Sequence, residues 1–386
     1  MRLLPWDYGV RNLGRAPVRL ALSLFGSALV VLLVLAASAF VRGMERSLTI
    51  SGSAGNVILL GAGSEESVER SEVSPATGSM VAAGVSGIKQ RQGVSYVSPE
   101  VHHATLLKEE RENEQTLLAL LRGITPAAFL VHPQIRITSG RAPEGQELLV
   151  GRLAAAKLGV PEERLAIGRT FWLDHRPWTI CGRFEAPGTV MEAEIWCPLR
   201  SLQLATKRDS LSCVVVTLDE AEFADVEIFC KRRLDLELVA LRESEYYAKV
   251  LAFYRPVRVL VWITAFLIAL GGLFGGLNTL YAAFAERVRE LGTLQALGFS
   301  RTALVLSLMQ ESALTSAAGA LVAAGLGLLV FDGLAVRFSM GAFGLVLDAP
   351  VMALGLGAGL ALGILGVLPP AWRCLRIPIQ EALKTS

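Results

Sequence analysis

The residues whose types could do chemistry are few in this chain, and their spacing does not form a catalytic site. The four histidines are His102, His103, His132 and His175. The only close pair, His102 and His103, would point to opposite faces of a strand, so we expect no metal site there. The chain contains no H-E-x-x-H or C-x-x-C pattern and no G-x-x-x-x-G-K-[ST] loop for ATP phosphates. We therefore expect no catalytic residue, no bound metal or cofactor, and no enzymatic activity in this chain itself.

The five cysteines are Cys181, Cys197, Cys213, Cys230 and Cys374. The first four fall in a long charged segment that we expect outside the cytoplasm, where four thiols can form two disulfides in three pairings. Cys181 and Cys197 end neighbouring strand-like runs and are the preferred pair. The alternative is that these cysteines are small buried hydrophobic residues.

Glu311 is a carboxylate inside the apolar run 302–330. Such residues usually face protein or water and mark function. Glu311 lies about 11 residues from the start of its helix, hence roughly 16 Å along it, and need not lie deep in the bilayer. We expect it to contact another helix, and a proton relay is the alternative.

A short charged segment, residues 286–297 with the sequence ERVRELGTLQAL, separates two long apolar runs. At about 100° per residue, its charged residues share one side of a helix: Glu286, Arg287, Arg289 and Glu290. The other side is apolar, with Phe284, Val288 and Leu291. Such a helix lies at a membrane surface and either faces a partner there or is a solvated connector whose charges mark the cytoplasmic side.

The elements that position these residues are four apolar runs in a chain of 386 residues that is 52% hydrophobic. Each run is long enough to cross a hydrocarbon core of roughly 30 Å at about 1.5 Å per residue. The expected segments are 1–19 cytoplasmic and amphipathic, 20–41 span 1, 42–258 extracytoplasmic, 259–285 span 2, 286–299 the connector, 300–330 span 3, 331–348 a short extracytoplasmic loop, 349–372 span 4 and 373–386 a cytoplasmic tail.

The first run also resembles a secretory signal peptide. Basic residues precede it, and Ala37, Ser38 and Ala39 form a small-residue pattern typical of cleavage sites. Signal cores are usually about 7–15 residues long, and this run has 22 uncharged residues. An uncleaved first span is the preferred interpretation.

Residues 42–258 carry charges throughout, contain no run long enough to span, and are long enough to bury a core of their own. Six short runs predict strands: 56–60, 148–150, 170–173, 178–183, 194–196 and 213–218. Two segments predict helices: 80–92 and 219–234. The mixed order predicts four transmembrane α-helices with a large α+β extracytoplasmic domain inserted between spans 1 and 2.

The distribution of basic residues predicts how the chain is oriented in the membrane. Outside residues 42–258 there are eleven basic residues, and ten of them lie in the N-terminal segment, in residues 286–301 or in the tail. The positive-inside rule places those three segments in the cytoplasm, together with both termini. A net charge of +2 offers no surface for nucleic acid.

Glycines recur at four-residue spacing in two spans. Gly355, Gly359 and Gly363 lie in span 4, and Gly271 and Gly275 lie in span 2. Small residues on one helix face allow close approach of two backbones. We expect these glycines to form packing faces, within the chain or between two copies.

Several segments resemble permease subunits of MacB/FtsX-like ABC transporters. These are WDYGVRNLGRAPVR near the N-terminus, AERVRELGTLQALGFSRTALVLSLMQES at 285–312 and PPAWRCLRIPIQEAL at 369–383. LRGITPAAF and SGRAPEGQELLVGRLAAAKLGV, at 121–129 and 139–160, are similar to the MacB-type periplasmic core. The resemblance covers nearly the whole chain, and E-x-x-R-E-L-G-x-L-x-A-L-G is its specific part.

The resemblance implies a dimer, formed with a second copy or a paralogue, in the bacterial inner membrane. It implies a separate ABC ATPase, which would bind ATP and Mg²⁺ and dock on the connector. The residues that match the coupling motif are Glu286, Arg287, Arg289, Glu290, Leu291, Gly292, Leu294, Ala296 and Gly298. In this family ATP-driven closure is thought to move the outer domain. A periplasmic adaptor and membrane lipid are further implied partners. The MacB exporter carries its ATPase on the same chain, and this sequence departs from that pattern.

Three functions stay open at this point. The first is a mechanotransmitting permease that exports or extracts an envelope substrate such as a lipid, lipoprotein, peptide or drug. The second is an FtsX-like regulator whose outer domain activates a cell-wall hydrolase. The third is a structural membrane protein without an energy source. The substrate cannot be inherited by analogy.

Overall fold

The computed structural model describes residues 17–110, 116–339, 341–378 and 380. The chain forms two compact units. We call the first the helical unit; it comprises the chain up to Arg42, Pro256–Leu334 and the chain from Leu345. We call the second the sheet unit; it comprises Gly43–Arg255 and Ala335–Gly344. The expected N-terminal amphipathic segment and most of the tail lie outside the described residues.

The described α-helices in chain order are α1 (Pro17–Ser51), α2 (Thr77–Gly84), α3 (Ala128–Val131), α4 (Ala154–Leu158), α5 (Leu199–Thr206), α6 (Phe223–Arg232), α7 (Glu243–Phe253), α8 (Arg255–Ala285), α9 (Val288–Ala296), α10 (Arg301–Val330) and α11 (Ala349–Leu375). Short 3₁₀ turns occur at Glu162–Leu165, Val190–Ala193 and Leu234–Leu236.

The described strands are β1 (Asn56–Gly61), β2 (Gln90–Arg91), β3 (Val94–Ser95), β4 (Val97–Leu107), β5 (Leu117–Ile124), β6 (Arg136–Gly140), β7 (Glu147–Gly151), β8 (Thr170–Leu173), β9 (Arg176–Glu185), β10 (Ile195–Pro198), β11 (Cys213–Thr217), β12 (Leu238–Arg242), β13 (Ala335–Phe338) and β14 (Gly341–Gly344).

Four helices are long and apolar enough to cross a membrane: α1, α8, α10 and α11. They correspond to the four predicted spans. Helix α1 is continuous through Ala37, Ser38 and Ala39, and it contributes residues to both units. The predicted arrangement of four spans, with the α+β domain between the first and the second, is confirmed.

The starts of the last two spans follow from local capping. The Ser300 hydroxyl accepts a hydrogen bond from the backbone N–H of Ala303 at 3.2 Å, which caps α10. The Asp348 carboxylate accepts one from the N–H of Val351 at 3.3 Å, which caps α11. Gly298 has φ +91°, a left-handed conformation that favours glycine and ends the connector.

The sheet unit is built on one mixed sheet with the strand order β12-β1-β11-β4-β5-β10-β7-β9-β6, and β8 pairs with β9. Most neighbours are antiparallel, whereas β10 pairs with β5 and β7 pairs with β9 in parallel. The core lies between this sheet and its helices and includes fully buried Leu59, Leu121 and Trp178. This is the α+β arrangement that the sequence predicted.

The expected short loop 331–348 contains an ordered hairpin, β13–β14, that belongs to the sheet unit. The Lys157 ammonium donates to the carbonyl of Ser339 at 2.6 Å. Tyr254 and Ser339 share a hydroxyl hydrogen bond of 3.2 Å, and the rings of Tyr254 and Phe338 pack edge to face. The chain between α10 and α11 therefore forms part of the sheet unit's fold.

Candidate functional site

The connector helix α9 has one exposed face and one buried face. Within α9 the exposed positions Arg289, Thr293 and Ala296 recur every three or four residues, which is the helical period. Glu286 just before the helix and Leu297 just after it are also exposed. Leu297 is 68% exposed, a high value for a leucine. Val288, Leu291 and Gly292 are buried. The exposed face thus offers a charge of each sign and one large apolar side chain.

The buried face of α9 packs on the ends of two spans. Val288 and Leu291 share an apolar cluster with Leu304 and Leu308 of α10. The same cluster includes residues from the end of α11, namely Val367, Ala371, Cys374 and Leu375. This packing fixes the position of the connector against α10 and α11.

Arg287 does not lie on the exposed face, so its predicted grouping with Glu286 and Arg289 is wrong. The residue is only 8% exposed. Its Nη1 lies 3.1 Å from Oε2 of Glu311, and its Nε lies 3.1 Å from Oε2 of Glu290. Arg287 lies just before α9, where a non-helical backbone lets it turn towards α10.

The pKa of Arg287 reflects this environment. Burial lowers the pKa of its guanidinium, but the carboxylates of Glu311 and Glu290 together raise this pKa by more. The pKa of Arg287 therefore lies above its ordinary value. Arg287 is therefore always charged. Breaking a buried ion pair by removing one partner is costly because the remaining charge stays buried without compensation.

Glu311 is buried, with 9% exposure, and contacts another segment as expected. Its carboxylate faces Arg287, and its backbone carbonyl accepts a hydrogen bond from the Thr315 hydroxyl at 3.0 Å. It also lines a small cavity of about 40 Å³ together with Ser23, Thr279 and Ser312. The carboxylate thus lies among protein groups, which is how ionised side chains are tolerated in spans.

The glycines of α11 pack within the chain. A Cβ atom at Gly359 would lie 2.8 Å from the Cβ of Ala320 in α10, and one at Gly363 would lie 2.6 Å from the Ser316 hydroxyl. Gly355 meets the side chain of Leu35 in α1. Gly271 and Gly275 of α8 have no described neighbour within 4 Å of such a Cβ, so a packing role within the chain does not apply to them.

The preferred disulfide is wrong for this structure. All five cysteines are free thiols. Cys181 lies on β9 and Cys197 on β10, and strand β7 lies between them in the sheet. Burial raises the pKa of Cys181 to about 11 and that of Cys197 further, so both stay protonated near neutral pH. The alternative of small buried residues fits Cys197, Cys213 and Cys230, whereas Cys181 is partly exposed.

Sequence reasoning missed a buried polar cluster in the sheet unit. Arg122 donates to Glu100 at 3.0 Å and to Glu194 at 2.8 Å, and the ring of His132 lies 2.9 Å from the other oxygen of Glu100. All four side chains are buried. Burial raises the pKa of Glu100, but Arg122 and His132 lower it more strongly, so it lies well below its ordinary value.

Potential metal ligands also meet in this cluster. Ligand atoms of Glu100, His102 and Cys213 lie within 4.8 Å of one another. Glu100 and His102 alternate on β4, and Cys213 is paired with Glu100 on β11. Both oxygens of Glu100 are engaged by Arg122 and His132, so the geometry fits an ion-pair network better than an open metal site. The Glu-x-His alternation was the available signal in the sequence.

Family models cover most of the chain. The model for the MacB-like periplasmic core domain matches residues 20–227. The model for the FtsX-like permease C-terminal region matches residues 262–379, which include the connector and Glu311.

Two curated proteins are similar along nearly the whole chain. The first, "Uncharacterized ABC transporter permease YknZ" of Bacillus subtilis (strain 168), is 20% identical over 390 residues, which is 95% of each chain. The second, "Macrolide export ATP-binding/permease protein MacB" of Nitrobacter winogradskyi, is 25% identical over 392 residues. That match covers 95% of this chain and 58% of the relative, so the chain spans less than two thirds of it.

Two solved structures match part of this chain. The periplasmic region of MacB from Actinobacillus actinomycetemcomitans matches with a TM-score of 0.39 and 12% identity, covering 52% of this chain and 94% of that one. The extracellular domain of YknZ, a noncanonic ABC-type transporter from Gram-positive bacteria, matches with a TM-score of 0.37 and 15% identity, covering 48% and 99%.

Proposed function

Because this chain belongs to the MacB/FtsX-like family of ABC transporter permeases, we propose that its connector helix α9 docks a separate ATPase subunit. The single observation that supports this most is the exposed face of α9. Arg289 lies on that face, with Glu286 exposed just before the helix and Leu297 just after it, and the opposite side of the helix is packed on two spans. Because α9 is packed on two spans, a displacement of α9 can be transmitted to those spans. A flexible loop in its place would deform instead.

The proposed transmission begins at the ion pair between Arg287 and Glu311. The pair joins the chain just before α9 to the side of α10, next to the apolar cluster that both helices share. Helix α10 ends at Val330, and the chain continues directly into the β13–β14 hairpin of the sheet unit. Movement of α9 thereby has a covalent route to the sheet unit through span 3.

We further propose that the connector and both termini are cytoplasmic and that the sheet unit is extracytoplasmic in a bacterial inner membrane. The concentration of basic residues in the N-terminal segment, the connector and the tail supports this orientation. The transported material would be an envelope substrate such as a lipid, lipoprotein, peptide or drug, with a periplasmic adaptor as a further partner.

A second permease copy or a paralogue would complete the assembly. Helix α8 supports this, because only 6% of its most apolar 18-residue stretch is buried. The corresponding share is 28–39% in the other three spans. Gly271 and Gly275 lie on this helix with open space before them. Helix α8 is therefore the span with most surface left for lipid or for another chain.

The test is affinity purification of the full chain from its native host in mild detergent, with mass spectrometry and an ATPase assay on the eluate. We expect a co-purifying nucleotide-binding subunit with vanadate-sensitive turnover. Arg289→Glu, on the exposed face of α9, should lower recovery of that subunit at least about tenfold, equivalent to about 1.4 kcal/mol.

Arg200→Glu is the matched control, since it reverses an exposed arginine on α5 of the sheet unit. It should leave recovery unchanged. If no ATPase co-purifies with an intact permease, or if Arg289→Glu recovers as much as the parent, the docking proposal fails.

A further inference from the structure

The sheet unit contains a partly open cavity of about 180 Å³ that the transmission route does not use. Its walls come from the end of α1, from α7 and from the β13–β14 hairpin, and its floor comes from β1, β4, β5 and β11 of the large sheet. Met44, Leu48 and Val250 are among its apolar lining residues. Every residue that lines it belongs to the sheet unit.

The polar part of the lining carries more negative than positive groups. Four glutamates line the cavity, Glu69, Glu100, Glu194 and Glu243, against one arginine, Arg122. Arg122 is already bound to both Glu100 and Glu194. His102 also lines the cavity, but burial and the charge of Arg122 lower its pKa, so it adds no positive charge near neutral pH.

Among the buried carboxylates that line the cavity, Glu243 is the one without an arginine partner among the described residues. Its Oε2 accepts hydrogen bonds from the backbone N–H of Ser53 and from the Asn56 amide, each at 3.0 Å. Its other oxygen lies 4.0 Å from a ring nitrogen of His132, beyond hydrogen-bond distance. Burial raises the pKa of Glu243 despite these contacts. A cation beside it would stabilise the ionised form.

Two further observations point to an occupant. Ser47 is 5% exposed and lines the cavity, and its hydroxyl has no hydrogen-bond partner among the described residues. Five aromatic rings line the same space: Tyr246, Tyr247, Tyr254, Phe338 and Phe343. Aromatic faces attract cations, most strongly where water is excluded.

We propose that this cavity binds a small cationic amphiphile, meaning an amine joined to one ring or a short aliphatic group. The apolar and aromatic walls would hold the ring, and the excess carboxylates would hold the ammonium group. The volume suits such a ligand, because an engineered cavity of about 150 Å³ in another protein takes up benzene. The proposal concerns the sheet unit alone and does not depend on ATPase docking at α9.

The test uses the full chain in lipid nanodiscs and three fluorinated probes of one size: 4-fluorobenzylamine, 4-fluorobenzyl alcohol and 4-fluorobenzoate. Binding is followed by ¹⁹F NMR line broadening, with empty nanodiscs as the reference for partition into lipid. We expect the amine to bind at least about tenfold more tightly than the alcohol, and the benzoate not to bind.

Two variants and one control variant locate the binding site. Val250→Trp fills the cavity from α7 and should abolish binding of the amine, whereas Ala248→Trp, at an exposed position on the same helix, should not. Glu243→Gln keeps an oxygen acceptor for Ser53 and Asn56 and should remove most of the preference for the amine over the alcohol.

Equal binding of amine and alcohol would overturn the proposal, because it would mean that the cavity takes up a neutral apolar group. Broadening no greater than in empty nanodiscs would also overturn it, as would amine binding that survives Val250→Trp. Circular dichroism of each variant shows whether a loss of binding reflects a loss of fold; Glu243→Gln then supplies the decisive measurement if Val250→Trp does not fold.

Discussion

The Nη1 atom of Arg287 lies 3.1 Å from Oε2 of Glu311, and this contact joins the connector to the third span across 24 residues of chain. Both residues are less than a tenth exposed. The pair links the connector to α10, whereas Glu286 and Arg289 remain exposed to solvent.

Removal of one member of this pair should destabilise the helical unit. We expect Glu311→Gln to lower the free energy of unfolding by about 3–5 kcal/mol, because Arg287 would remain buried with one carboxylate fewer. Thermal unfolding of the full chain in detergent measures the loss. Arg289→Gln, an exposed neighbour, is the control and should change stability by no more than about 0.5 kcal/mol.

The charge-exchanged double variant, Arg287→Glu with Glu311→Arg, tests whether the stability comes from the attraction between the two charges. It distinguishes this attraction from effects of the size or polarity of either residue. Glu290→Gln is introduced in all the compared proteins, so that the glutamate introduced at position 287 does not face a second carboxylate. On that background we expect the exchange to recover at least about half of the stability lost in Glu311→Gln, since the opposite charges face each other again. A double variant less stable than Glu311→Gln alone would show that the pair does not account for the loss.

Close packing of α11 on α10 predicts a strong dependence on position. Gly359→Ala should cost about 1–3 kcal/mol, because the new Cβ would lie 2.8 Å from the Cβ of Ala320, which no side-chain rotation can move. Gly357→Ala, on the same helix with nothing described within 4 Å of a Cβ, should be neutral or slightly stabilising. Unfolding midpoints of the two variants in one detergent would test this, and equal midpoints would contradict it.

Acid should weaken the sheet unit through Glu100. Its pKa in the fold lies well below the ordinary 4.5, so its ionised form contributes stability that is fully present above pH 4.5 and is lost as the pH falls towards the lower, folded pKa. We expect Glu100→Gln to be less stable than the parent by about 3–5 kcal/mol at neutral pH. The difference between the two proteins should shrink below pH 4.5, as followed by tryptophan fluorescence; a constant difference would argue against this ionisation.

The cysteines should be reduced even when the protein is purified without reductant. Denaturation followed by a thiol assay should count five free thiols per chain. In the folded protein Cys181 should react slowly with maleimide at neutral pH and faster as the pH approaches its pKa of about 11, since the thiolate is the nucleophile. A count of three free thiols would show that two cysteines form a disulfide, which would contradict this prediction.

Much of the fold follows from local patterns. The four spans are long uncharged runs, and length multiplied by helical rise is sufficient to identify them. All six predicted strands are present, because alternating apolar residues and nearby turns need no tertiary information. The long strands β4 and β5 were missed, because buried Glu100, His102 and Arg122 interrupt the apolar pattern that predicts a strand.

For the candidate functional site, too, the sequence predicts some features and only the tertiary structure shows the others. By itself the sequence determined that a short amphipathic helix joins spans 2 and 3 and that Glu311 must meet a partner. Only the tertiary structure decided that the partner is Arg287, because a helical pattern orders residues around one axis and says nothing about a side chain that turns towards another helix. The same limit applies to Cys181 and Cys197: neighbouring positions in the chain did not show that β7 lies between their strands. It applies equally to the charged cavity, whose residues come from separate strands and helices that only the folded chain brings together.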